Sequence, residues 1–132
     1  MIEHALWDSL IRIKNGQLAK KEKIFLKKTR LVKQLLEVMW TFGYITGFVE
    51  EKDDTGLMKY KVYCKYLGSG EPVITNIRFL STPGKKFSYT VDQLWKLRLN
   101  GSLIVLSTSK GLQSLQDCKK QNIGGEILFV VI

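Results

Sequence analysis

Three hydroxyl side chains stand in a row at Ser107, Thr108 and Ser109, followed by Lys110 and Gly111. An apolar run, Leu-Ile-Val-Leu at 103–106, delivers them and has the length of a strand. Each hydroxyl both donates and accepts a hydrogen bond, so such a row suits base edges, 2′-hydroxyls or phosphates. Lys110 adds a point positive charge, and Gly111 permits positive φ or close approach of a ligand backbone. A second cluster, Gly124-Gly125-Glu126, lies near the C-terminus and turns the chain into an apolar last segment, 126–132. From composition alone, a strand end followed by a turn explains residues 107–111 equally well.

Catalytic readings of these residues fail on their companions. Ser107-x-x-Lys110 matches the Ser-x-x-Lys signature of serine acyl-transfer enzymes, but the Ser-Asp-Asn and Lys-Thr-Gly elements are absent. A phosphate-binding P-loop needs Lys before Ser or Thr, whereas here Ser precedes Lys. Glu50-Glu51 and Asp53-Asp54 fall in or beside a polar turn, where solvation is the default. Cys64 and Cys118 are far apart and His4 is the only histidine, so no metal-ligand spacing exists. No enzyme, no metal and no cofactor is expected, and the two cysteines suit free thiols in a reducing compartment.

The charge balance points to a polyanion. Lys and Arg total 21 against 12 Asp and Glu, a formal net charge of +9 with a pI near 9.6. Nucleic acid or an anionic membrane fits this better than an acidic small substrate, although a basic surface can also be merely solvated. No apolar stretch reaches membrane-spanning length. Met1 leads almost directly into patterned helix, without an apolar secretory core or an Arg/Ser-rich presequence, so the chain is expected to work where it is made or to be already mature.

Leu6, Ser9, Leu10, Ile13 and Gln17 fall on one helical face, with Asp8 and Arg12 paired at i,i+4 and Asn15-Gly16 as the expected stop. Residues 20–33 are the densest basic stretch. They read as a short strand around Ile24-Phe25-Leu26 and then a helix capped by Thr29, with Val32, Leu35, Leu36 and Met39 as its apolar stripe and Gly43 as its end. Lys27, Lys28, Arg30 and Lys33 would cluster at that helix's N-terminus, where N–H groups and cations favour phosphate; a solvated face is the competing reading. Residues 45–50 and 59–66 read as strands joined through Asp53-Asp54-Thr55-Gly56, with Tyr60, Val62, Cys64 and Tyr66 on one face. Residues 67–72 read as a linker. Beyond it come strands at 74–80 and 86–89, a weak helix at 91–97, the hydroxyl strand, and a short helix opened by Ser114 and Asp117 and stopped at Asn122. The fold class expected is α+β in two small packed domains: residues 1–66 as α-β-α-β-β, and residues 73–132 mainly antiparallel β with short helices.

Ser-Thr-Ser-Lys-Gly at 107–111, a short helix, and Gly-Gly-Glu at 124–126 together resemble ribosomal protein eight of the small subunit. Asp8-x-Leu-x-Arg12-Ile-x-Asn15-Gly16 and Pro83-Gly84 agree with that family along the chain. The resemblance covers essentially the whole sequence and is loosest in its middle third. It implies binding to the central domain of small-subunit ribosomal RNA, at a helix interrupted by an irregular internal loop, in support of subunit assembly. Ser107, Thr108 and Ser109 would read the loop, Lys110 would neutralise phosphate, and Gly111, Gly124 and Gly125 would admit the RNA backbone. Glu126 would accept from a base amino group or orient the serine turn. Arg12, Lys14 and Asn15 on the first helix, and Pro83, Gly84, Lys85 and Lys86, would add RNA contacts. Neighbouring small-subunit proteins are implied partners, and the protein's own message is a further candidate.

Departures from the family pattern concentrate after Ser81. The family usually has a basic residue where Thr82 stands, Arg where Lys86 stands, and Tyr where Ser88 stands, while alternation sends Phe87 and Tyr89 to the face opposite Ser88. This drift, with Lys outnumbering Arg by 17 to 4, leans towards an organellar ribosome, mitochondrial rather than plastid, over a bacterial cytoplasmic one. An RNA-binding translational regulator using the same surface on messenger RNA is the alternative function. A protein-interaction module with a solvated basic surface is the third.

Overall fold

The computed structural model describes residues 2–79, 88–96 and 103–132. The chain divides into two compact units, Met1–Thr75 and Asn76–Ile132. It is an α+β protein in which, among the described residues, every strand pairing is antiparallel.

The first unit runs α1 (Ile2–Leu18), β1 (Lys23–Lys27), α2 (Arg30–Thr41), β2 (Ile45–Lys52) and β3 (Met58–Cys64), with its sheet in the order β1-β3-β2. The apolar stripes read from the sequence are its core. Leu6, Ser9, Leu10, Ile13 and Gln17 of α1 are buried, as are Val32, Leu35, Leu36 and Met39 of α2. Tyr60, Val62 and Cys64 make the buried face of β3, while Tyr66, just beyond the strand, is half-buried. Thr29 caps α2 by accepting from the Val32 N–H at 3.2 Å, and Gly43, at φ 79°, closes it.

Helix α1 does not stop at Asn15-Gly16. It continues to Leu18, and Lys20 takes the left-handed position at φ 56°. The Lys21 N–H then donates to the Gly16 carbonyl and the Lys20 N–H to the Gln17 carbonyl, closing a Schellman motif. Gly16 is needed for a different reason: a Cβ there would lie 2.7 Å from Ile24 Cγ2. It is the point where the helix meets β1.

Residues 67–72 are folded back rather than extended. Leu67 and Glu71 share a backbone hydrogen bond, Gly70 closes the turn at φ 89°, and Tyr66 bridges to Pro72. The buried Gln17 amide accepts from the Ile74 N–H at 3.1 Å and donates to the Tyr44 carbonyl at 3.3 Å, so residue 74 belongs to the first unit.

The second unit contains β4 (Ile77–Phe79), β5 (Ser88–Tyr89), α3 (Val91–Lys96), β6 (Leu103–Thr108), β7 (Gly111–Ser114), α4 (Leu115–Gln121) and β8 (Gly125–Val131). Its sheet has the order β4-β8-β6-β7, with β5 also on β8. Strand β8 is paired on both sides and its residues 127–131 are all buried, which accounts for its continuous apolar run. Leu94, Ile104, Leu106, Cys118, Ile127 and Val130 form a core cluster under α3 and α4. Ser114 caps α4 by accepting from the Asp117 N–H at 3.2 Å, and Asn122 ends it at φ 59°.

Candidate nucleic-acid interface

Strands β6 and β8 bring the two polar motifs of the C-terminal unit side by side. Ser107 stands opposite Glu126 in the β6–β8 register, and Glu126 stands opposite Ser88 on β5. Directly opposed residues share a sheet face, so Ser107, Glu126 and Ser88 form a row across three strands. Tyr89 takes the other face and packs on the core cluster, as alternation requires. Two motifs separated in sequence by residues 112–123 thereby become one surface.

The turn between β6 and β7 is built by Thr108. Its hydroxyl donates to the Gly111 carbonyl at 2.9 Å and accepts from the Lys110 N–H at 3.1 Å. Ser109 and Lys110 form the exposed tip, and Gly111 takes φ 99°. A type I turn closed by a glycine bulge has this pattern. A hydroxyl has one proton and two lone pairs, so Thr108 keeps one lone pair for a ligand. Ser107 and Ser109 form no side-chain hydrogen bond among the described residues, and both retain their full capacity.

Gly124 and Gly125 have a structural requirement of their own. A Cβ on Gly124 would lie 2.3 Å from the Tyr89 carbonyl oxygen and 3.1 Å from Thr90 Cα. A Cβ on Gly125 would lie 2.6 Å from the Ser107 carbonyl oxygen and 3.0 Å from Thr108 Cγ2. The pair lets β5 and the hydroxyl turn close onto β8. Neither glycine has positive φ, so the close approach alone demands the absence of a side chain.

In the N-terminal unit a groove of about 320 Å³ is lined by Asp8, Ser9 and Arg12 of α1, Phe25 and Lys27 of β1, Thr29 and Val32 at the start of α2, and Leu57 and Lys59. It gathers Arg12 and Lys27, two residues expected to meet RNA, and adds Lys59, which its position on a strand did not single out. Lys59 stands opposite Lys27 in the β1–β3 register. Their repulsion is relieved by Asp53, whose carboxylate lies 2.8 Å from Lys59 Nζ. The same carboxylate accepts from Thr55 and from the Leu57 N–H. The Lys59 ammonium first, and the Thr55 hydroxyl next, hold Asp53 well below the usual carboxylate range.

Several cations are already paired. Arg12 Nε lies 3.4 Å from Asp8, with both side chains mostly exposed, and Lys28 lies 3.0 Å from Glu50. Such exposed pairs are worth ~0–1 kcal/mol and open readily towards a polyanion. Lys33 and Arg30 lie exposed in the first turn of α2, which holds no acidic residue. Asn15 is exposed one turn beyond Arg12, and Lys14 is half-buried. The face of the sheet away from Tyr60 and Val62 carries Lys23, Phe25 and Lys27 on β1 opposite Tyr63, Lys61 and Lys59 on β3. Lys61 is held above its ordinary pKa chiefly by Glu51, 2.9 Å away. Pro83, Gly84, Lys85 and Lys86 lie outside the described residues, as do Thr82 and Phe87.

Comparison with known proteins places this sequence in a family of ribosomal proteins. The model of ribosomal protein S8 matches residues 4–132, and the chain belongs to that family. It is 35% identical over 124 residues to small ribosomal subunit protein uS8 of Rhodopseudomonas palustris (strain BisB5), covering 94% of this chain and 93% of the relative. The uS8 protein of Nitrobacter hamburgensis is 34% identical over the same length and coverage. That of Anaplasma marginale (strain Florida) is 36% identical over 121 residues, covering 92% of this chain and 91% of the relative. All three relatives are bacterial.

Proposed function

We propose that the chain is a structural constituent of the small ribosomal subunit, binding small-subunit RNA in its central domain at a helix interrupted by an irregular internal loop and supporting assembly there. The observation that carries this is the registered row of Ser107, Glu126 and Ser88 beside the Ser109–Lys110 tip. A regular A-form helix offers side chains only its shallow minor groove, whereas an internal loop exposes distinctive base edges and 2′-hydroxyls. Ser107 and Ser109 donate to and accept from those groups. Thr108 holds the tip in shape, Lys110 meets phosphate, and Glu126 accepts from a base amino group or orients its serine neighbour.

The N-terminal unit contributes charge. Arg12, Lys27 and Lys59 around the groove, with Lys28, Arg30 and Lys33 at the start of α2, neutralise phosphates without reading sequence. Neighbouring small-subunit proteins are the other partners of this reading, and the role is structural rather than catalytic. The bacterial relatives support a bacterial-type subunit and lend no support to the lean towards an organelle. Sedimentation tests the assignment. The tagged protein is expected to co-migrate with small subunits after a high-salt wash, and its release into the soluble fraction would refute it.

A further inference from the structure

Resting on the reading of the chain as an RNA binder, we propose a second RNA-contact surface on α3 and α4, where an unpaired base stacks on Trp95 while Lys119 and Lys120 meet the flanking phosphates. Trp95 is 62% exposed, although the residue before it, Leu94, is completely buried in the core cluster. Lys119 Nζ sits 4.8 Å from the centroid of the indole ring. A cation–π pair at an exposed site stabilises only modestly, so it does not by itself explain why a large indole stands in water. With Lys119 over the ring, the indole is still mostly exposed and open to a flat partner.

The support beneath the ring is firm. Thr90 and Gln93 cap α3 reciprocally: the Gln93 side chain accepts from the Thr90 N–H at 2.9 Å, and the Thr90 hydroxyl accepts from the Gln93 N–H at 3.3 Å. Leu94 and Cys118 anchor the two helices in one cluster, with Leu115 and Ile123 packed against it. Lys96 closes α3, and Lys119 and Lys120 close α4; Asp92 and Asp117 occupy the opposite, N-terminal ends of these helices. Cations therefore gather at the C-terminal end of each helix, and Trp95 lies in the last turn of α3.

This chemistry favours nucleic acid over a protein partner. A protein hot spot needs an aromatic anchor within a contiguous apolar patch. The other large exposed hydrophobic side chain of this unit, among the described residues, is Ile132 at the C-terminus. An isolated aromatic face with one lysine ammonium over it, on helices that end in further lysines, is instead the arrangement that holds single strands, where every base supplies a π-face and every linkage a charge.

The test uses the full chain carrying Trp7→Phe and Trp40→Phe, in which Trp95 is the sole indole. Single-stranded oligoadenylate is the probe, with a fully paired RNA and an internal-loop RNA as controls. Oligoadenylate is expected to quench Trp95 emission saturably. In the otherwise native chain, Trp95→Ala should weaken oligoadenylate about 5- to 150-fold, the range of one base–aromatic stack. Trp95→Phe should restore most of that loss, and internal-loop RNA affinity should stay unchanged. Unquenched emission at saturating oligoadenylate, or equal affinity for wild type and Trp95→Ala, overturns the second surface. If internal-loop RNA still binds in that case, the RNA-binding reading stands; if no RNA binds the wild type, both fall.

Discussion

Gly124→Ala separates a glycine kept for folding from one kept for RNA. The added Cβ would lie 2.3 Å from the Tyr89 carbonyl oxygen, and its next neighbours, Thr90 Cα and C, are backbone as well. No side chain can rotate away, so β5 must retreat by roughly 0.7 Å or more to restore a normal contact, a shift of the size that makes overpacking cost ~1–3 kcal/mol. Among the described residues, strand β5 holds to β8 through two residue pairs, Ser88 with Glu126 and Tyr89 with Gly125. The cheapest relief is to release it, which also loosens Tyr89 from the core cluster. Adding lost ladder bonds at ~1 kcal/mol each gives a destabilisation of about 2–3 kcal/mol. For a chain of this length the melting temperature should fall by roughly 8–12 °C. Thermal melting followed by Trp95 emission, in the chain with Trp7→Phe and Trp40→Phe, reports on this unit directly. A melt unchanged from wild type would refute the packing argument. If discrimination between internal-loop and fully paired RNA were then also lost, Gly124 would be lying against RNA rather than against β5.

Ser109→Ala should leave the melt unchanged, because its hydroxyl meets no described residue, and weaken internal-loop RNA by about 1–3 kcal/mol through an unsatisfied partner; equal affinity would remove Ser109 from recognition. Changing Lys27, Lys28 and Lys33 together to Gln should make the salt dependence of binding shallower by up to about three units. Lys28 should give the smallest share, since Glu50 already balances it at 3.0 Å, and an unaltered slope would mean that all three are merely solvated. Asp53 is depressed by Lys59 in the folded chain, so its contribution to stability is present above the unfolded carboxylate value near 3.9 and is lost as pH falls through its lower folded value. An acid titration of its carboxyl carbon by NMR should show Lys59→Met raising the midpoint, and an unmoved midpoint would deny the pair. Cys64 and Cys118 are buried, and burial raises both thiols, so alkylation at neutral pH should be slow until the chain unfolds. Rapid labelling of native protein would contradict that.

The helices and their faces were legible because burial in the first unit follows one rule: Leu6, Leu10, Ile13, Val32, Leu35, Leu36 and Met39 recur at helical spacing and are all in the core. Capping was legible at Thr29, Ser114 and Asn122 because each of these residues has a local role, a side-chain acceptor at the first two and a left-handed backbone at the third, that needs no distant partner. The stop of α1 was not. Glycine serves both as a left-handed cap and as a gap for a crossing element, and one letter stands for both. At Gly16 the crossing element, Ile24, fixes the second use, and a lysine at residue 20 takes over the first. Lys59 likewise looked like one residue of an alternating strand. Only the β1–β3 register places it opposite Lys27, at the edge of the groove that also holds Arg12.

The hydroxyl row shows the same division within a single motif. As a sequence, Ser-Thr-Ser offers three equivalent groups, yet in the turn the middle one spends its proton on Gly111 and one lone pair on Lys110. Threonine suits this position, because its methyl also fills the space against Gly125 that a serine would leave open. Thr108→Ser should therefore keep the turn hydrogen bonds and lose only packing, whereas Thr108→Val keeps the shape and removes both bonds. If Thr108 acts as the organiser of the tip, Thr108→Val should lower affinity for internal-loop RNA and lower stability together, by about 1 kcal/mol or more in stability, while Thr108→Ser changes both little. Measured side by side, a Thr108→Val protein that melts normally but fails to bind would instead place the hydroxyl directly on the RNA, and the row would then consist of three readers rather than two readers and their support.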